Sequence, residues 1–163
     1  MVAGRKLVLA LCLTAAAAAA QSRFVVPAGM AGKEGDSYSY TPVGRAPCRS
    51  QFIYARGAMP AGGLMIRVLR LRRDGNYASP FQGHSFEMEI WMANNGADPA
   101  AGYSAVFAEN RGPDFTRVFD KKKVDFPYAA KPAKAPASFG LAFVLDTPFR
   151  YGGKAFLLEF ASH

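Results

Sequence analysis

At 163 residues the chain has the length of one domain of ordinary size with a core of its own, and it requires neither a second domain nor a tether. Its 20 Lys and Arg against 12 Asp and Glu give a formal charge of +8, which is basic but only moderately so. With two cysteines, Cys12 and Cys48, it is not a disulfide-stapled module.

The first stretch reads as an export signal. "MVAGRK" supplies a positive start through Arg5 and Lys6, "LVLALCLTAAAAAA" is an uncharged apolar run, and Ala18 and Ala20 form the small-residue pair that signal peptidase accepts before Gln21. Half of the run is alanine, whereas a spanning helix needs about 20 strongly apolar residues, so cleavage is expected and no transmembrane anchor should remain. Leu11 stands where a lipidation signal at Cys12 would want a small residue. The expected division is a signal peptide at 1–20 and a single domain at 21–163. Cys48 is then alone, has no histidine near it in sequence, and reads as a partly buried inert thiol.

"RFVVP" at 23–27 is β-branched, of strand length and closed by proline, and "SQFIYA" at 50–55 alternates, with Phe52 and Tyr54 opposite Ile53. "GGLMIRVLRLRRDGN" runs from paired glycines to a turn. Its Ile66 and Val68 are out of phase with Leu69 and Leu71, which predicts a strand carrying a bulge or twist. "SFEMEIWM" at 85–92 has the cleanest alternation: Phe86, Met88, Ile90 and Met92 form a core face, and Ser85, Glu87, Glu89 and Trp91 the other. In "DPAAGYSAVFAENRGPD", Tyr103, Val106 and Phe107 lie three or four apart at most and predict one helical turn or a compact loop. "FTRVFDKKKVDF" reads as a hairpin tipped by its lysines, and "PYAAKPAKAPAS" as an exposed, mobile loop. "FGLAFVL" at 139–145 and "KAFLLEF" at 154–160, joined through "DTPFRYGG", complete seven or eight strands.

Many short strands separated by turn signals, with at most one short helix, predict an all-β fold: an antiparallel β-sandwich, jelly-roll-like. The segments "FVVPAG", "RSQFIYAR", "IRVLRLRRDG", "GYSAVFAENRGPDFTRVF" and "VLDTPFRYGG" before "FLLEF" resemble, in that order, a group of exported bacterial proteins of uncharacterised function, some of which carry a PEP-CTERM sorting tail. The resemblance implies a secreted β-sandwich and transfers no catalytic residue. Tailed members continue past the last strand, whereas this sequence stops at His163, which implies a soluble, released or periplasmic product.

The site candidates are Glu87, Glu89 and Trp91. Two residues apart on a strand, the two glutamates have Cα atoms about 6.5 to 7 Å apart on one face, within reach of the carboxylate spacing of about 5 to 9 Å used by glycosidases. Trp91 occupies the third position of that stripe, where an acidic E-x-D-x-E-like pattern would place another carboxylate. An indole beside two carboxylates suits a sugar-binding face better than hydrolysis, and a wet face of a structural strand better still. His84 and His163, the latter at a terminus expected to fray, have no zinc-ligand spacing, and "GKEGDS" and "NNGADP" lack calcium-loop grammar, so no metal or cofactor is expected. Arg67, Arg70, Arg72 and Arg73 with Lys121, Lys122 and Lys123 could form a polyanion-binding patch, or could guard edges against aggregation. The expected function is that of an exported, non-catalytic binding or structural module, secreted or periplasmic. Its expected partner is a glycan or an anionic surface polymer and not nucleic acid; the alternatives are a secreted glycoside hydrolase and a surface-matrix component.

Overall fold

The structure, a computed structural model, describes residues 22–34, 42, 46–75, 79–94 and 99–163. The stretch read as a signal peptide lies outside the described residues. Runs of alternating or continuous apolar residues become six strands: β1 (Cys48–Tyr54), β2 (Leu64–Leu71), β3 (His84–Asn94), β4 (Thr116–Phe126), β5 (Leu141–Tyr151) and β6 (Phe156–Ser162). They form a four-stranded sheet in the order β1-β6-β3-β4 and a two-stranded sheet of β2 and β5, with every pairing antiparallel. The result is an all-β antiparallel sandwich. Helix among the described residues is confined to single 3-10 turns, two of them in the 99–110 segment where a turn is predicted. No helix among the described residues is long and apolar enough to cross a membrane.

The core lies where the alternation puts it. Met88, Ile90 and Met92 of β3 are fully buried, and Phe156, Leu158 and Phe160 of β6 lie beside them. Phe143 reaches across from β5 and meets Phe119, Phe160 and Phe126 at ring-centroid distances of 5.6, 6.1 and 6.5 Å, joining the two sheets at their middle. At one margin Asp146 of β5 accepts the backbone N–H of Asp120 at 2.8 Å and the Lys122 ammonium at 2.6 Å, which ties β5 to β4.

The phase slip of β2 is present. Its register with β5 shifts between Ile66 and Val68, so that Leu64 and Ile66 face the core before the slip and Leu69 and Leu71 after it. The additional residues are on β5, around Asp146, and this strand continues through "DTPFRY" where a connector was expected.

Two further expectations about strands are corrected. Residues 23–27 form no strand; they have no ladder partner and lead into the turn Ala28–Met30. The 115–126 segment is one strand and not a hairpin: "DKKK" has no glycine or asparagine to follow Asp120 in the positive-φ positions of a two-residue hairpin turn. Instead β4 takes up two register shifts against β3, which turn the adjacent Val118 and Phe119 both inward and leave the lysines in mid-strand. These two changes account for six described strands in place of seven or eight. The Pro/Ala/Lys loop is exposed over most of its length but anchored, with Ala129 bridged to Phe81 and Ala137 buried.

Truncating the central ring should show how much the core depends on it. Phe143→Ala is expected to lower unfolding free energy by about 3–5 kcal/mol, read from the urea midpoint at unchanged slope. Val144→Ala, one residue away on the exposed face, should stay within about 0.5 kcal/mol of the parent.

Candidate functional site

The outward face of the four-stranded sheet carries the polar half of "SFEMEIWM". Strand register sets Gln51, Glu159, Trp91 and Arg117 side by side across β1, β6, β3 and β4, and the neighbouring row holds Arg49, Ala161 and Glu89. β6 is central in this sheet and all seven of its residues are buried, Glu159 fully, although a glutamate is almost never buried without partners.

Its partners come from two directions. From β1, Arg49 Nε donates to Glu159 Oε1 at 2.6 Å and Gln51 Nε2 to Oε2 at 2.5 Å. From the 99–115 segment, Arg111 Nη2 donates to Oε1 at 2.9 Å and Nε to Oε2 at 3.3 Å. The two guanidinium groups then lie over an aromatic pair. Arg49 is 5.1 Å from the Trp91 ring and Arg111 4.3 Å from the Phe115 ring, and these rings stack on each other at 6.2 Å and 9°. Burial is the largest single influence on Glu159 and pushes its pKa up, but hydrogen bonds from Arg111, Gln51 and Arg49 outweigh it and hold the carboxyl below its ordinary value.

Local sequence explains how the segment arrives there. A Cβ on Gly112 would fall 2.0 Å from the Asn94 carbonyl oxygen, so only glycine allows the chain to cross the end of β3 so closely. Asn94 clamps the crossing by donating its N–H and its Nδ2 to the Asp114 carboxylate at 2.9 and 2.7 Å. Asn110, buried, fixes the other end: its Nδ2 donates to Gln51 Oε1 at 3.0 Å and to the Ser104 carbonyl at 2.9 Å, and its Oδ1 accepts the Ser104 N–H at 2.8 Å.

The fold brings Glu87, Glu89 and Trp91 onto one face, and each already has a partner from this chain. Glu87 is exposed and 3.1 Å from Lys121, while Glu89 is 3.6 Å from Arg117 and 3.0 Å from His163 Nε2. Trp91 is half-buried between the Arg49 guanidinium and Phe115, outside the inter-sheet core. His163 is docked and not frayed, because its N–H also donates to the Glu87 carbonyl at 2.9 Å. Cys48 is free and partly buried. Among the described residues no three His, Cys, Asp or Glu side chains gather as a metal site would require.

Beside this seam, between β1 and the 99–110 segment, lies an open groove of about 410 Å³ lined by Gln51, Ile53, Tyr54, Tyr103, Phe107 and Asn110, among others. Tyr103 is 73% exposed at its rim. Gln51 joins groove and seam, since its amide holds Glu159, Asn110 and the Phe107 carbonyl together.

Sequence reasoning missed Glu159, Arg49, Gln51, Asn110 and Arg111. The available signal was one carboxylate inside the apolar run "FLLEFA", which must be paired or lie on a wet face. Comparison with family models, with curated proteins and with solved structures finds no match for this chain.

Removing the buried charge should test the seam. Glu159→Gln leaves Arg49 and Arg111 without their counter-ion, and a loss of about 2–3 kcal/mol is expected, below that of a fully buried pair because Arg49 is 46% exposed to water. Since the folded carboxyl titrates below its ordinary value of 4.5, its stabilisation is complete above about pH 4.5 and disappears as pH falls through the folded value. Urea titrations from pH 7 to 3 should therefore show a shallower acid slope in the variant than in the parent.

Proposed function

We propose that the protein is an exported, non-catalytic β-sandwich module that binds a glycan in the groove between β1 and residues 99–110. Export rests on the leader pattern at 1–20 and on the resemblance to exported bacterial β-sandwich proteins. The observation that carries the binding reading is Tyr103, an exposed ring beside a 410 Å³ groove whose polar groups are already fixed. A tyrosine face stacks on the apolar side of a sugar ring, and a few oriented polar groups select among hydroxyls. Here those groups are Gln51, Ser104 and Asn110; their donors are committed to one another, to Glu159 and Glu109 and to backbone carbonyls, so they would meet a sugar as acceptors of its hydroxyl protons through the remaining oxygen lone pairs, and little ordering would accompany ligand entry.

The same geometry favours binding over hydrolysis. Glu87 and Glu89 do not line the groove, and they face Lys121, Arg117 and His163. A retaining or inverting glycosidase needs two carboxyl groups flanking one scissile bond, one of them able to donate a proton. Trp91 supports the groove from the side, through its packing against Arg49 in the seam that Gln51 shares.

Retention on immobilised neutral and acidic polysaccharides should identify the ligand class. Tyr103→Ala is expected to weaken retention about tenfold, the equivalent of one lost aromatic stack of about 1.4 kcal/mol, with an unchanged melting temperature and no reducing ends released by either protein. Equal retention of parent and variant on every polysaccharide would sink the assignment of the groove.

A further inference from the structure

The outward face of the two-stranded sheet lies on the opposite side of the sandwich from the groove. Register sets Met65 opposite Arg150, Val68 opposite Val144 and Arg70 opposite Ala142, while Leu64, Ile66, Leu69 and Leu71 turn to the core. Arg67, Arg70 and Arg150 are therefore presented outward together with Met65, Val68 and Val144, and all six are exposed, Val144 by 68%. From the Met65–Arg150 pair to Arg70 the face extends about 17 Å along the strand.

The cations of this face differ from the other basic clusters of the chain. Lys121, Lys122 and Lys123 are paired with Glu87, Asp146 and Asp125. Arg72 is held by Glu34 and the carbonyls of Met30 and Lys33, and Arg73 by the carbonyls of Ser79, Ala129 and Ala130. Arg67, Arg70 and Arg150 make no ion pair among the described residues. The nearby acid of β5, Asp146, is turned to Lys122 and the Asp120 N–H.

Chemistry narrows the occupant. A second copy of the same face would set three cations against three. A hydrophilic acidic polymer would satisfy the guanidinium groups and leave Met65, Val68 and Val144 against water. A surface of anionic phospholipid satisfies both halves, with phosphates for the arginines and the acyl boundary for the aliphatic side chains. We propose that the β2–β5 face docks the protein peripherally on an anionic lipid surface. This role is separate from glycan binding and uses none of the groove residues.

The test is co-sedimentation of the full chain with phosphatidylglycerol-containing vesicles, with pure phosphatidylcholine vesicles alongside and retention on a sulfated polysaccharide as the third arm. Binding is expected only with phosphatidylglycerol, and it should fall as salt is raised. The triple variant Arg67→Gln, Arg70→Gln, Arg150→Gln should partition on the order of a hundredfold more weakly, from about fivefold per arginine. Val144→Asp, which keeps all three arginines, should lose vesicle binding about tenfold, and Tyr103→Ala should not change it. Both surface variants should keep the parent melting temperature. Retention on the sulfated polysaccharide without vesicle binding would overturn the lipid assignment. Parent-like vesicle binding by the triple variant would overturn the role of the face, and aggregation of that variant with no vesicle binding by the parent would reduce the arginines to guards of an edge strand.

Discussion

The carboxylate of Glu159 is the constraint on which the outer layer of the structure depends. An ionised carboxyl inside a central strand is strongly disfavoured unless its oxygens are hydrogen-bonded and its charge is met. β1 supplies Arg49 and Gln51, and the 99–115 segment supplies Arg111. Pairing of β1 with β6 and closure of the segment over the sheet are therefore coupled. Lifting the segment removes one guanidinium and lets water onto a strand whose outward residues, Leu157, Glu159 and Ala161, are all buried.

That coupling also orders the groove. Gln51 spends its amide N–H groups on Glu159 and the Phe107 carbonyl and its carbonyl on Asn110, so the floor and the wall are held by one side chain. Asn110 in turn fixes Ser104, and the chain between them carries the exposed Val106 and leads back to Tyr103 at the rim. A segment with only single 3-10 turns thereby acquires a defined shape, through buried side-chain hydrogen bonds and not through regular backbone ladders.

Legibility in the sequence followed the range of the forces involved. The alternation of Phe86, Met88, Ile90 and Met92 is local and identifies a core face, and the slip between Ile66 and Val68 is local and marks a real register shift. Whether the extra residues of such a shift sit on the strand itself or on its partner depends on pairing, and here they are on β5. Pairing also decided β4, where three consecutive lysines suggested an exposed tip but the ladder with β3 runs through them, Lys121 meeting Glu87 of β3 and Lys122 meeting Asp146 of β5. The polar face of β3 could be read as a face. What could not be read was that Arg49 and Phe115, distant in sequence, would close on Trp91, or that Arg150 would join Arg67 and Arg70 through the β2–β5 register.

The two outward faces of the sandwich resolve the same problem differently. On the four-stranded sheet each outward glutamate meets a base, Glu87 with Lys121, Glu89 with Arg117 and Glu159 with both Arg49 and Arg111, and an aromatic pair with a crossing segment excludes water from the middle. Such a face is electrostatically closed, and what it leaves for another molecule is the groove at its edge. On the two-stranded sheet the register matches cations with aliphatic residues, so that Arg67, Arg70 and Arg150 have no ion pair among the described residues and lie beside apolar surface. Because the sheets lie back to back, a partner on the second face leaves the groove pointing away from it. A module built in this way can be held at a surface and still present its groove to material in the surrounding space.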